Sequence, residues 1–181
     1  MKPAVDDLAV ATLPTLETER LELRVHRLED FPDCAALWGD AEATRYIGGK
    51  PSTAEEVWWK VLRNVGHWSL LGFGYWVVRE KVSGRFIGEV GLADYKRDLQ
   101  PPLRWAPEAG WMVAPREQGK GFATEAVRAV LAWGEAHFGS TRSMCMISPD
   151  NLPSLRVAEK CGYTQSLVTT YKTLPTIILE R

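Results

Sequence analysis

The segment that most limits how this chain can fold runs from Glu108 to Ala126, Glu-Ala-Gly-Trp-Met-Val-Ala-Pro-Arg-Glu-Gln-Gly-Lys-Gly-Phe-Ala-Thr-Glu-Ala. It reads as a strand, a turn carrying Gly119 and Gly121, and the first turn of a long helix. Two glycines remove side chains where the backbone must approach something closely, and the helix behind them points unpaired N–H groups into that space. Those amides and the positive end of the helix dipole together make an anion site, and a phosphate or pyrophosphate is the obvious guest.

The rest of the chain supplies a frame for that turn. Arg20 to Val25 alternates polar and apolar residues, the period of a half-buried strand. Leu28 to Trp38 reads as a short helix, and residues 1 to 16 as a loose leader. Ser52 and Thr53, with Glu55 and Glu56 three residues on, form overlapping capping boxes that start a second helix running to about Leu70. Tyr75–Arg79 and Arg85–Leu92 flank Val82-Ser83-Gly84, a hairpin signature. A polar, proline-bearing loop covers Lys96 to Pro107. Beyond Gly121 the residues Ala123, Ala126, Val127, Val130, Leu131 and Gly134 recur at helical spacing, and Gly139 ends that helix. Arg142–Ile147 is a short strand, Asn151 opens a helix that stops at Gly162, and Gln165–Tyr171 with Thr176–Leu179 closes the chain as a hairpin. This order predicts one α+β (mixed α/β) domain.

Composition excludes more than it selects. At 181 residues the chain is long enough to bury one real core. Its formal net charge of −1 gives no electrostatic case for nucleic acid or an anionic membrane. No segment approaches the roughly 20 apolar residues of a spanning helix, nor does the acidic N-terminus resemble a secretory leader, so a cytoplasmic protein is expected. Cys34, Cys145 and Cys161 are far apart and sit near none of His26, His67 and His137, which predicts buried reduced thiols and no metal.

Three glycine-based anion sites compete for the turn. A P-loop needs glycine where Ala114 stands and a hydroxyl where Gly121 follows Lys120, so it fails. A dinucleotide fingerprint needs a third glycine where Thr124 stands, and it fails too. The third pattern, Arg/Gln-x-x-Gly-x-Gly/Ala, is met by Arg116, Gly119 and Gly121. It resembles the coenzyme A motif of the GNAT acetyltransferases. Further on, Asn151-x-x-Ser154-x-x-Val157-x-x-Lys160-x-Gly162-Tyr163 is similar to the second signature of that family. The opening Leu16-Glu17-Thr18-Glu19-Arg20-Leu21-Glu22-Leu23-Arg24 resembles the branch typified by ribosomal-protein N-terminal acetyltransferases. The resemblance spans nearly the whole chain in order.

The resemblance implies a central, mostly antiparallel twisted sheet of about seven strands, splayed between the fourth and fifth, with about four flanking helices. It implies acetyl-CoA as cosubstrate and a primary amine as acceptor, on a protein N-terminus or a small molecule, in a monomer or homodimer. Backbone groups of Met112, Val113 and Ala114 would pair with the pantetheine arm in the splay. Amides of Gln118, Gly119, Lys120, Gly121, Phe122 and Ala123, with Thr124 next along the helix, would hold the pyrophosphate; the Lys120 side chain adds a charge or is simply solvated. Asn151 would bond the pantetheine arm or only cap its helix.

Direct attack on a thioester needs a neutral amine, and an α-amine has a pKa of about 8 while a lysine-like amine lies near 10. Glu108 is the expected base, or else an exposed strand-end acid. Ser154 and Tyr163 compete to protonate the leaving thiolate. Ser154 is preferred, because the position of Tyr163, often phenylalanine in the family, fits core packing. Trp58, Trp59, Trp68 and Trp105 belong to segments bordering the acceptor cleft. A catalytically silent acyl-CoA-binding module is the alternative from another functional class.

Overall fold

A computed structural model describes residues 13–99 and 106–181. Its centre is an eight-stranded sheet in the order β1-β2-β3-β4-β5-β6-β8-β7. The strands are β1 (Leu16–Glu17), β2 (Leu21–Val25), β3 (Tyr75–Glu80), β4 (Phe86–Ala93), β5 (Glu108–Val113), β6 (Met144–Ile147), β7 (Thr164–Tyr171) and β8 (Leu174–Glu180). Every neighbouring pair is antiparallel except β5 and β6. A parallel pair needs a crossover, and the helix α4 (Phe122–Phe138) provides it.

Four more α-helices lie among the described residues, α1 (Phe31–Trp38), α2 (Ala41–Thr44), α3 (Ala54–Leu71) and α5 (Leu152–Lys160), with short 3-10 turns at Leu28–Asp30 and Pro115–Glu117. The α3 start is the capping box read from sequence at Thr53 and Glu56: Glu56 N–H donates to Thr53 Oγ1 at 3.2 Å, and Thr53 N–H to Glu56 Oε2 at 2.8 Å. None of the helices is long and apolar enough to cross a membrane.

The two larger apolar clusters flank the sheet, and a third, smaller one gathers Leu99, Ala106, Met144 and Ile178. Val57 and Val61 of α3 pack with Cys34 and Leu37 of α1 against Val77 and Met112 on one face. On the other, Ala126, Val127, Val130 and Leu131 of α4 cover Leu23, Val78, Val90 and Leu92. Trp68, near the end of α3, joins this second cluster through edge contacts with Trp76 and Trp133. Beside the first cluster Asp30, fully buried, takes both terminal nitrogens of Arg24 (2.6 and 2.8 Å) and Nη2 of Arg79 (2.8 Å). Burial opposes the Asp30 charge, but the two guanidinium groups prevail and lower its pKa from 3.8 to about 2.

The sheet has one strand more than the seven expected, and α2 is a helix beyond the four expected. Both are too short for periodicity to register: β1 is two residues long, α2 four. Leu16 pairs with Leu23 and packs on the core, and Trp76 Nε1 donates to Pro14 O at 2.8 Å, so the chain is tied down just before β2. Cys34, Cys145 and Cys161 are buried free thiols.

Candidate active site

The chemistry gathers where the sheet comes apart. β5 and β6 share a single register pair, Glu108 with Met144, backed by Met144 N–H donating to Pro107 O at 3.0 Å. Above that point the two strands diverge. A cavity of about 660 Å³ occupies the opening, lined by Glu108 to Met112 of β5, by Cys145 to Ser148, and by Asn151 and Ser154 at the start of α5. Its other wall is Trp38, Tyr46, Lys60, Arg63, Asn64, Tyr75, Glu89, Tyr95, Arg97 and Tyr171.

At the end of β5 the chain turns into α4 through Gly119 and Gly121, both left-handed at φ 76° and 83°. A Cβ at Gly119 would meet nothing within 4 Å, so the glycine leaves open space in front of the turn. No side chain caps α4. The first bond of the helix is Glu125 N–H to Gly121 O at 3.1 Å, which leaves the amides of Phe122, Ala123 and Thr124 as the orphan donors every helix start carries. Arg20 holds this turn in place. Its Nη1 donates to Lys120 O at 3.0 Å, its Nε to Glu125 Oε2 at 2.7 Å, and its guanidinium lies 4.4 Å from the Phe122 ring centre.

Several expected contributors sit differently. Gln118 N–H already donates to Pro115 O at 3.2 Å, which removes that amide from the cradle. Lys120 is exposed to solvent, and its Nζ is paired with buried Glu117 at 3.0 Å. Ala114 N–H bonds Ile87 O at 2.9 Å, and the two-residue alternation of a strand turns Met112 the same way, toward β4. The backbone groups of β5 that face the opening are therefore those of Trp111 and Val113.

Asn151 caps α5, its Oδ1 accepting from Ser154 N–H at 3.2 Å, and both residues line the cavity. Tyr163 does not. It is buried in the core, and its hydroxyl shares a 2.7 Å hydrogen bond with Ser143 Oγ. The packing role suggested by its position is the one it has. Among the tryptophans, Trp58 stacks edge-on against Phe31, Trp59 is 62% exposed, and Trp68 is core; Trp105 lies outside the described residues. The cavity takes Trp38 and Trp111 instead.

Two carboxylates reach the cavity. Glu108 is clamped by Arg97, whose Nε and Nη2 donate to Oε2 and Oε1 at 2.5 and 2.6 Å. Arg97 also lies between the rings of Tyr95 and Tyr171, at 4.8 and 5.0 Å. The second, Glu89, is in the middle of β4, opposite Met112. His26 Nε2 bonds its Oε1, and Trp38 Nε1 donates to its Oε2 at 2.5 Å. Burial works against the Glu89 charge, yet the His26 ring and the Trp38 N–H hold its carboxyl below the ordinary glutamate value. Cys34 Sγ lies 3.9 Å from Glu89 Oε1; burial, then the nearby Glu89 charge, push its thiol up, so it stays protonated. Those three side chains lie close enough to share an ion, but each Glu89 oxygen already has a protein partner.

Glycines shape the cavity floor. Tyr75 lies over Gly91 and Gly110: a Cβ at Gly110 would sit 2.0 Å from the Tyr75 hydroxyl, and one at Gly91 2.6 Å from its Cγ. The hydroxyl is hydrogen-bonded to Tyr95. Sequence reasoning passed over Glu89, His26, Trp38, Tyr75 and Arg97. For Glu89 a signal was present: it is the one charged residue inside the apolar run Phe86–Ala93, every residue of which is buried.

Comparison with known proteins agrees with this geometry. Residues 20–164 match the acetyltransferase (GNAT) domain family. The uncharacterized protein YkkB of Bacillus subtilis is 34% identical over 175 residues, covering 92% of this chain and 94% of that protein. An acetyltransferase from Agrobacterium tumefaciens superposes with a TM-score of 0.81 at 26% identity, over 94% of this chain and 95% of the other. A spermidine N-acetyltransferase from Vibrio cholerae, in complex with CoA and spermine, shares the fold at a TM-score of 0.72 and 18% identity, over 91% and 96% of the two chains. With a split sheet, an uncapped glycine turn and a family match across most of its length, this chain belongs to the GNAT acetyltransferases.

Proposed function

We propose that the chain moves an acetyl group from acetyl-CoA to a primary amine by direct attack in a ternary complex, and that its active site is the cavity between β5 and β6. One observation carries this: the parted strands lead from the orphan amides at the start of α4 straight to a cavity holding two carboxylates and a serine. The amides of Phe122, Ala123 and Thr124 would hold the pyrophosphate, with Gly119 and Gly121 leaving room for it. Backbone groups of Trp111 and the Val113 N–H would pair with the pantetheine arm, the Val113 carbonyl already accepting from Gln118 Nε2 at 3.2 Å, and an N–H there would polarise the thioester carbonyl. A neighbour of the same fold is described in complex with CoA, which agrees with a CoA carrier for this one.

Glu108 and Glu89 are the two groups available to deprotonate the amine. Both oxygens of Glu108 are held in a bidentate pair with the permanently charged Arg97 guanidinium, whereas those of Glu89 are held by the neutral indole N–H of Trp38 and by His26. We assign the base to Glu89, which draws the ammonium in as a carboxylate and takes its proton directly or through water. Ser154, at the start of α5, is assigned to protonate the departing thiolate. The opening segment around Arg20 supports an α-amine acceptor of the ribosomal-protein type; relatives of this fold also act on small amines, as the spermidine enzyme's name states.

Turnover of acetyl-CoA, read as free thiol across primary amines and N-terminal peptides, tests the reading, with CoA affinity measured by calorimetry. Release of thiol that depends on an amine is the expected result. Tight CoA binding with no release on any acceptor would establish the silent binding module in its place.

A further inference from the structure

The cavity wall contributed by α3 has a charge imbalance that transfer to a simple amine does not explain. Of the two carboxylates in the cavity, Glu108 is paired with Arg97, and Glu89, hydrogen-bonded to His26 and Trp38, is the one that Lys60 and Arg63 feel electrostatically. Lys60 and Arg63, one helical turn apart on α3, also line it, and among the described residues neither forms an ion pair. Each rests on a ring instead: the Lys60 ammonium lies 4.6 Å from the Trp38 ring centre, and the Arg63 guanidinium 5.1 Å from that of Tyr95. Burial first, and the nearby Arg63 second, depress the Lys60 pKa. Glu56, one turn earlier on α3, and Glu89 offset part of this, but like charges at this spacing repel, and an anionic guest between Lys60 and Arg63 would relieve what is left. Lys172, over the Tyr171 ring at 5.6 Å, adds a third cation to the lining.

We propose that the acceptor is an amine carrying a carboxylate a few bonds from its nitrogen, with the carboxylate held by Lys60 and Arg63. The inference rests on the transferase reading above and specifies its substrate class. The short separation follows from the side chains between the two loci. Trp38 touches both Lys60 and Glu89, and Asn64, next to Arg63 in sequence, places its Nδ2 3.5 Å from Glu89 Oε1. An amine at Glu89 therefore has its anionic partner about one side chain away, the span of an amino acid. A polycationic acceptor would face the same Lys60 and Arg63 as repulsion.

The test compares free amino acids with their carboxamides, a C-terminally blocked peptide with an acidic second residue, and spermidine as a cationic control. Carboxylate acceptors are expected to exceed their amides by about tenfold or more in kcat/KM, the worth of one charge-assisted contact. The peptide arm tells whether the carboxylate comes from a free amino acid or from an acidic side chain. Arg63→Glu should raise KM for carboxylate acceptors by a similar factor, Arg63→Lys should retain most of the activity, and CoA affinity should not follow either change. A second measurement needs no turnover. Quenching of tryptophan fluorescence by succinate should far exceed that by succinamide and should be lost in Lys60→Ala/Arg63→Ala, with or without CoA present. Equal response to succinate and succinamide, or amides and spermidine outranking carboxylates, overturns the anion site. Failure to bind CoA at all would sink the transferase reading and leave the succinate result to decide this one.

Discussion

The Tyr75 phenol lies across two glycines, and that arrangement predicts a specific rescue. In Gly110→Ala the new methyl would fall 2.0 Å from the Tyr75 hydroxyl and 3.2 Å from Cζ. Ordinary contact is about 3.5 Å, so the hydroxyl must move by more than about 1 Å while remaining bonded to Tyr95. Overpacking of this kind costs about 1–3 kcal/mol. Tyr75→Phe alone should cost about 1 kcal/mol, the value of a lost hydrogen bond. Combined, the two changes should be less harmful than their sum by about 1–2 kcal/mol, because the contact left is the 3.2 Å one, which a shift of a few tenths of an ångström relieves. Gly91→Ala is the control: its methyl would meet Tyr75 Cα at 2.4 Å and Gly74 O at 2.6 Å, backbone atoms that Tyr75→Phe does not remove. Urea unfolding of the single and double variants measures all four effects. Strict additivity for Gly110→Ala with Tyr75→Phe would refute the placement of the hydroxyl in that slot.

Three further outcomes follow from the site and its supports. Glu89→Gln should lower kcat by about 10²–10⁴ while CoA affinity holds, and Glu108→Gln should cost less; a Glu89→Gln rate near that of the parent protein would place the base elsewhere. Gly121→Glu imposes a side chain at φ 83° and a negative charge before the orphan amides, so CoA binding by calorimetry should vanish with the far-UV circular dichroism unchanged. Asp30, at about 2 in the folded chain and 3.8 unfolded, favours folding fully above about pH 4. That contribution, about 2 kcal/mol, should drain away as pH falls toward 2, and Asp30→Asn should remove that part of the slope in urea midpoints taken between pH 4 and 2.

What could be read in advance divides by distance along the chain. The turn at Gly119 and Gly121 and the capping box at Thr53 and Glu56 are local patterns, complete within a few residues, and both stand where they were expected. The parting of β5 from β6 followed from the family resemblance, not from periodicity. The cavity wall was opaque because its contacts join residues far apart: His26 meets Glu89 across 63 positions, and Tyr75 reaches Gly110 over an intervening strand. Segment position gave the tryptophans no direction, so of those chosen by segment the three described, Trp58, Trp59 and Trp68, proved to be Phe31 packing, solvent-facing surface and core. Lys120 shows the same gap, since nothing nearby in sequence reveals that Glu117, only three residues before it, is buried and draws in Arg85 and Arg116 as well.

The lone register pair between Glu108 and Met144 makes the sheet a zipper fastened at one end. Two ladders, one of five strands and one of three, are each complete without the other, and α4 is the strap that spans them. Interior strands thus turn hydrogen-bonding edges, the kind that elsewhere invite aggregation, toward the cavity. Whatever fills that recess with amide groups of its own closes the seam, so occupancy should stiffen the whole scaffold and not merely the surface it touches.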